Sequence, residues 1–405
     1  MTASPTRASE RLRLLAEDKV TRISAALLAS VYVLTGAAWF TTRGVTALVT
    51  GEDAVCWPLA PGCEAIRAHL SPRLAGALVV TLMALGAASA FSFLERRARR
   101  GRILYILAGT LGLGIYALDY RLRLNQTMMF GWASVVFFVA PRPKEALQLL
   151  LPLFYAWAGT LKLNAEWMSG AALYAKPLFL PAALVPASCV YVVFLELVLV
   201  WGLFARDRRI RYLVYAQLCL FHLVSFSVVG WFYPLMMFAL TAVYPLSWHF
   251  DSESLVWSRV RVERSMALVI AVGFSLCQLL PFFYAGDTAI TGEGRLFALH
   301  MFDARVVCEG GATLTRRTGD RSRAVLINDH LDVRTRCDPV VLGATTQRLC
   351  RLIDARDGAG ATRIDVAIDA RRTSERELRP LLHLDDACAQ DLSYSILHHN
   401  AWISR

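Results

Sequence analysis

Lys162 closes a long apolar run, Leu149 to Leu161, and a polar step follows it, Asn164-Ala165-Glu166-Trp167. A bilayer core accepts an ammonium only at considerable cost, so a lysine in such a place either reaches the headgroups or has a chemical task. As a chemical group it is a base. Burial in a dry pocket disfavours the charged form, and the neutral amine can then take a proton near neutral pH. As an anchor it snorkels to the interface, with Trp167 in the aromatic belt. A salt bridge to Asp119 is a third arrangement, one that keeps the amine protonated. Glu196 and His222 form a second candidate pair, expected at similar depth on neighbouring helices. They serve either as an intramembrane functional pair or as a hydrogen bond that locks two helices. Glu293, His300 and Asp303 lie beyond the last apolar stretch, in a segment that either covers the outer mouth of a bundle or seats an outer domain. His398-His399 has no spaced partner and reads as a surface pair, not a metal site.

These residues need helices to hold them. The chain has 405 residues, 56% of them hydrophobic, and a mean hydropathy of +0.44, an excess that belongs in lipid. Apolar stretches at 23–41, 73–94, 103–119, 126–140, 146–163, 182–204, 212–230, 231–247 and 265–283 alternate with arginine-rich breaks. Backbone in hydrocarbon must close its own hydrogen bonds, so these stretches are expected to be helices. The expected fold is mainly α: a polytopic membrane bundle of about nine helices over 1–283, with a small α+β domain over 284–405.

The basic breaks set the sidedness. Arg11, Arg13, Lys19 and Arg22 precede the first stretch. Arg96 to Arg102, Arg142 with Lys144, Arg206 to Arg211, and Arg259, Arg261 and Arg264 all fall on the same side of such a bundle. The positive-inside rule makes that side cytoplasmic, with an uncleaved first span. A net charge of +11 set in this pattern excludes nucleic acid as its explanation. The alanine- and arginine-rich composition points to a bacterial inner membrane, which sets aside the glycosylation pattern Asn125-Gln126-Thr127.

Two segments then lie outside. The loop 42–72 holds Cys56 and Cys63, and the C-terminal region holds Cys308, Cys337, Cys350 and Cys388. Even numbers in an oxidising compartment predict a Cys56–Cys63 bridge and two more among the other four, connectivity open. Cys189, Cys219 and Cys277 fall in spans as apolar filler. The absence of Cys-x-x-Cys argues against a dithiol or zinc site of that type, and no metal is expected. In the outer domain, Ile364 to Asp369 alternates as a half-buried strand, Ala324 to Ile327 is a second strand, and Thr345 to Ala355 has helical spacing. Gly310-Gly311 and Asp357-Gly358 mark turns. Counting about 1.5 Å per helical residue places Lys162, Asp119, Asn125, Gln126 and Glu166 at one level, near the outer surface.

Around Gly159-Thr160-Leu161-Lys162-Leu163-Asn164-Ala165-Glu166-Trp167-Met168-Ser169-Gly170 the chain resembles the vitamin K-dependent gamma-glutamyl carboxylases and their broader group, the horizontally transferred transmembrane (HTTM) domain proteins. Phe194-Leu195-Glu196-Leu197 and Phe221-His222 also resemble that group. The resemblance implies a lysine base at Lys162 that deprotonates a reduced naphthoquinone (vitamin K or menaquinol). Oxygen then generates a stronger base, which removes a γ-proton from a protein glutamate, and the carbanion captures carbon dioxide. Asn125, Gln126 and Trp167 are placed at the cofactor. Where the carboxylases carry Asn-His-Ser-Tyr-Leu-Tyr-Gly, this chain has Asn125-Gln126-Thr127-Met128-Met129-Phe130-Gly131, and Gln126 cannot shuttle a proton as a histidine does.

Two functions are therefore expected. One is a quinol-dependent carboxylase or epoxidase in the membrane, with lipid, quinone and a secreted peptide as partners. The other is a non-catalytic maturation or export factor for a secreted client, in which Lys162 only anchors a helix. They differ in whether Lys162 faces a cavity or headgroups.

Overall fold

Long apolar stretches become helices throughout the residues that the computed structural model describes, which are 7–41, 55–60, 62–173, 176–251, 264–295, 298–299, 306–327, 333–358, 360 and 362–404. In chain order they are α1 (Arg7–Glu17), α2 (Lys19–Thr41), α3 (Pro72–Leu94), α4 (Ala98–Leu118), α5 (Asn125–Val139), α6 (Pro143–Leu161), α7 (Val185–Leu197), α8 (Arg208–Val229), α9 (Phe232–Thr241), α10 (Val243–Phe250) and α11 (Arg264–Leu279). Among the described residues five segments are long and apolar enough to cross a membrane: Lys19–Thr41, Pro72–Leu94, Ala182–Phe204, Arg208–Val229 and Met266–Phe283.

The other expected spans are helical but fall short of that standard for physical reasons. α5 has 15 residues, or about 22 Å against a hydrocarbon core of about 30 Å. α6 carries Lys144 and Glu145 in its first turn. The stretch 231–247 is divided at Ala242 into α9 and α10. Arg259, Arg261, His300 and Asp303 lie outside the described residues.

Two sequence features fix how α6 packs. Pro152, inside α6, has no N–H to give the Gln148 carbonyl four residues back. Tyr244 of α10 donates its hydroxyl to that carbonyl at 2.6 Å, and the Gln148 amide donates to Ser247 at 3.0 Å. Gly159 then lets α6 approach α7 closely: a Cβ there would stand 3.0 Å from Glu196 Cβ and 2.9 Å from Leu197 Cγ.

The C-terminal part is a four-stranded antiparallel sheet crossed by one helix. The strands are β1 (Val306–Arg316), β2 (Arg321–Ala324), β3 (Thr362–Arg372) and β4 (Arg379–Leu384), in the order β2-β1-β3-β4. The helix α12 (Pro339–Asp357) packs with Ile364, Val366, Ile368 and Trp402 in one apolar core. The strand expected at Ile364 to Asp369 is the centre of β3. The helix expected from Thr345 begins earlier, because Asp338 caps it by accepting from Val340 N at 2.9 Å and Pro339 opens the first turn. The strand expected at 324–327 is instead β2, which ends at Ala324.

Gly310-Gly311 is not a turn but the middle of β1. Gly310 has φ +124°, and a Cβ there would lie 2.1 Å from the Ala367 carbonyl oxygen. Gly311 would place one 2.7 Å from that of Ala324. In this sheet the missing side chains permit close strand approach rather than chain reversal. Asp357-Gly358 does end α12, with Gly358 at φ +93°.

Cysteine pairs stand at disulfide distance at Cys56–Cys63, Cys308–Cys337 and Cys350–Cys388, which fixes the connectivity the spacing left open. Cys189, Cys219 and Cys277 are free.

The sheet is fastened to the helices by charge. Asp287 accepts from Arg372 at 2.7 and 2.6 Å, and Glu166 accepts from Thr373 Oγ1 at 2.7 Å and from the Ser374 amide. Burial pushes the Asp287 carboxyl up, but the Arg372 hydrogen bonds outweigh it and hold the group below its ordinary value of 3.8. A carboxylate lowered in this way contributes fully above that ordinary value and loses its contribution as pH falls through the lowered one. Attachment of the sheet is therefore expected to be constant from neutral pH to about pH 4 and to weaken below it. Hydrogen exchange of the β3 amides across that range reads this out, and Asp287→Asn should weaken the attachment at neutral pH and flatten the dependence. A wild-type exchange profile that matches the variant's at every pH would remove Asp287 from the joint.

Candidate functional site around Lys162

Lys162 is the residue that caps the C-terminal end of α6, three residues beyond Gly159 and on the same face of the helix. The close crossing at Gly159 brings its side chain onto α7, where Nζ lies 2.6 Å from both carboxylate oxygens of Glu196. Lys162 is 2% exposed and Glu196 fully buried. The amine faces the rings of Trp167 at 5.2 Å and Phe221 at 5.8 Å. Trp167 is fixed in turn by its indole N–H, which donates to the Cys189 carbonyl at 2.9 Å. Lys162 does not snorkel.

One side of this pair faces a cavity of about 930 Å³. Lys162, Trp167, Phe221 and Tyr233 line its inner end, and Asn125, Gln126 and Arg123 line the end next to the sheet domain, together with Asp338. Sideways the wall includes Tyr191 of α7 and Leu220 and Val224 of α8, all of which are exposed on the outside of the bundle. The cavity thus has an apolar lateral mouth between α7 and α8. Tyr191 donates a hydrogen bond to Gln217 across that mouth.

The polar partners differ from those the sequence suggested. Asp119 does not reach Lys162. It is closed by Arg121, at 2.9 Å, two residues away. Glu196 and His222 do not pair: Glu196 takes Lys162, and His222 Nε2 shares a 2.6 Å hydrogen bond with Tyr155. α7 begins at Val185, so Glu196 lies eleven residues along it, about 16 Å down its axis, and beside Lys162. Glu166, expected at the same level, turns instead to the sheet domain through Thr373 and Ser374.

Asn125 and Gln126 do line the cavity, as does Trp167. Gln126 Oε1 is buried without a hydrogen-bond partner among the described residues. Glu293 is fully buried and seats the C-terminal segment, accepting from Asn400 N at 2.7 Å and bonding His399 at 2.9 Å, while its neighbours Gly292 and Arg295 join the cavity wall. The described part of that segment therefore lines the cavity and seats the C-terminal residues.

Tyr155, Tyr233, Arg123 and Asp338 were not singled out in the sequence. Tyr155 lies seven residues before Lys162, two turns down the same face, and that spacing was a usable signal. Asp338 reads in sequence only as a helix cap, with no sign that it reaches the bundle. No protein family, curated protein or solved structure matches this chain.

Proposed function

We propose that this chain is a multi-pass membrane enzyme of the carboxylase type, an HTTM-like protein that takes a reduced naphthoquinone from the bilayer. In this reading nine spans place the N-terminus in the cytoplasm and the sheet domain outside the inner membrane. The observation that carries it is the buried Lys162–Glu196 pair on the wall of a cavity that opens sideways between two apolar helices. A cavity of about 930 Å³ falls within the range of ligand sites, roughly 300–1,000 Å³, and its mainly apolar walls with a few polar groups suit a ring compound with a hydrocarbon tail.

The pair is electrically neutral whether the proton sits on nitrogen or on a carboxylate oxygen. A proton transfer within the pair therefore leaves no net charge behind in a site from which water is excluded. Lys162 passes its proton to Glu196, and its free amine accepts the hydroxyl proton of the ligand. The resulting ammonium stays beside the ligand's oxygen and balances its charge. Trp167 and Phe221 cover the amine and keep water from it. Asn125 and Gln126, at the sheet end, supply hydrogen bonds to ligand oxygens. A bound quinol supplies the electrons, with oxygen as oxidant and carbon dioxide and a secreted glutamate-bearing peptide as the later reactants.

The test is epoxide formation from reduced menaquinone or vitamin K and oxygen by the reconstituted protein. Lys162→Ala should lower the rate by about 10²–10⁴-fold, the usual contribution of a general base. Equal rates would remove Lys162 from the chemistry. No epoxide from the wild type would favour the non-catalytic maturation or export role instead.

A further inference from the structure

The end of the cavity next to the sheet domain is cationic in a way that the chemistry at Lys162 does not use. Of the described residues lining the cavity, four are cations, Arg123, Lys162, Lys176 and Arg295, and only Asp338 is a carboxylate. Lys162 is already matched by Glu196. Arg123 is ion-paired with Asp338 but not hydrogen-bonded to it. Its Nη2 lies 3.6 Å from the carboxylate, beyond hydrogen-bond range, and its buried Nη1 has no partner among the described residues. Its guanidinium carbon stands 4.9 Å from the centre of the Tyr120 ring, which holds the group in place. Asp338 meanwhile spends its oxygens on Val340 N and the Tyr120 hydroxyl, and burial pushes its carboxyl up. A fixed, buried guanidinium with an unused N–H is a receptor for an oxyanion.

From this end the wall runs past apolar side chains to the mouth between α7 and α8. We infer that the cavity takes an amphiphile with an oxyanion head, a long-chain carboxylate or a phosphate-bearing lipid, whose head sits on Arg123 and whose chain leaves between Tyr191, Leu220 and Val224. Arg123 supplies the head contact and Lys176 adds positive charge to the wall. The inference rests on the membrane-spanning assignment of α7 and α8, but not on the role proposed for Lys162.

The test uses the full-length protein in a neutral detergent and the quenching of its tryptophans by doxyl-labelled lipids. The probes are doxyl-stearate, its methyl ester, and a doxyl-labelled phosphatidic acid. A charge-assisted contact of the usual strength corresponds to a preference of about 10–100-fold for a charged head over the ester. That preference should vanish in Arg123→Gln and persist in Arg123→Lys. Stronger binding of the phosphate probe assigns a phospholipid, and stronger binding of stearate assigns a free acid. Equal binding of stearate, phosphatidic acid and ester by the wild type overturns the inference, as does an acid preference left intact in a folded Arg123→Gln. Should that variant fail to fold, Val224→Trp in the mouth decides: it must abolish quenching by the charged probes, and unchanged quenching overturns the inference. No quinol is present and no turnover is read, so failure here leaves the epoxide experiment untouched.

Discussion

Glu196→Gln and Lys162→Met are each expected to destabilise the protein by about 3–5 kcal/mol, while Lys162→Met combined with Glu196→Leu recovers most of the loss. Each single substitution leaves one charge buried with its partner removed, and the fully buried geometry offers no water to compensate it. The double substitution removes both charges and replaces them with apolar groups of similar bulk. The midpoint of thermal or detergent unfolding reads the three variants, and the coupling between the two sites is the quantity of interest. Additive losses would show that the pair is not the closed contact its distances describe. The same double variant separates fold from chemistry, because it should be stable and yet form epoxide about 10²–10⁴-fold more slowly. If it were both stable and fully active, neither residue could be the base.

The second large effect belongs to the bridges of the sheet domain. Cys308–Cys337 and Cys350–Cys388 span 29 and 38 positions, and Cys56–Cys63 only 7. On the chain-entropy account, removing either longer bridge costs about 3.5–4 kcal/mol and removing the short one about 2.5 kcal/mol. Cys308 lies on β1 and Cys337 lies two residues before α12, so this bridge ties the sheet to the start of its covering helix. Serine pairs at the two longer bridges should shorten the lifetime of the sheet domain under proteolysis well before the helices are cut. Peptide mapping without reduction checks the pairing itself. Recovery of Cys308 linked to Cys350 or Cys388 would contradict the assigned connectivity.

How much of this was legible depended on whether the signal was local. The helices could be read because burial without water forces the backbone to pair with itself, and 23-residue apolar runs such as Pro72–Leu94 leave no other structure. β3 was legible because its inward side chains alternate with Asp365 and Asp369. Gly310-Gly311 was misread because glycine serves both turns and close strand contacts, and only the position of Ala367 decides between them. At the site, Lys162 was visible as an ill-placed charge. Its partner was not, because the irregular segment between α6 and α7 sets the level of Glu196 and has no periodicity from which to count. Arg123 and Asp338 were invisible as a pair for a simpler reason: 215 positions separate them, and no local pattern reports that the sheet domain is lowered onto the helices.

Glu166 and Trp167 are adjacent residues that belong to different structures. The first is gripped by Thr373 and Ser374 in the β3–β4 hairpin, and the second covers the Lys162 amine. The seat of the sheet on the helices and the cover over the amine are therefore one peptide bond apart, so the hairpin contacts that hold Glu166 also fix where the indole stands.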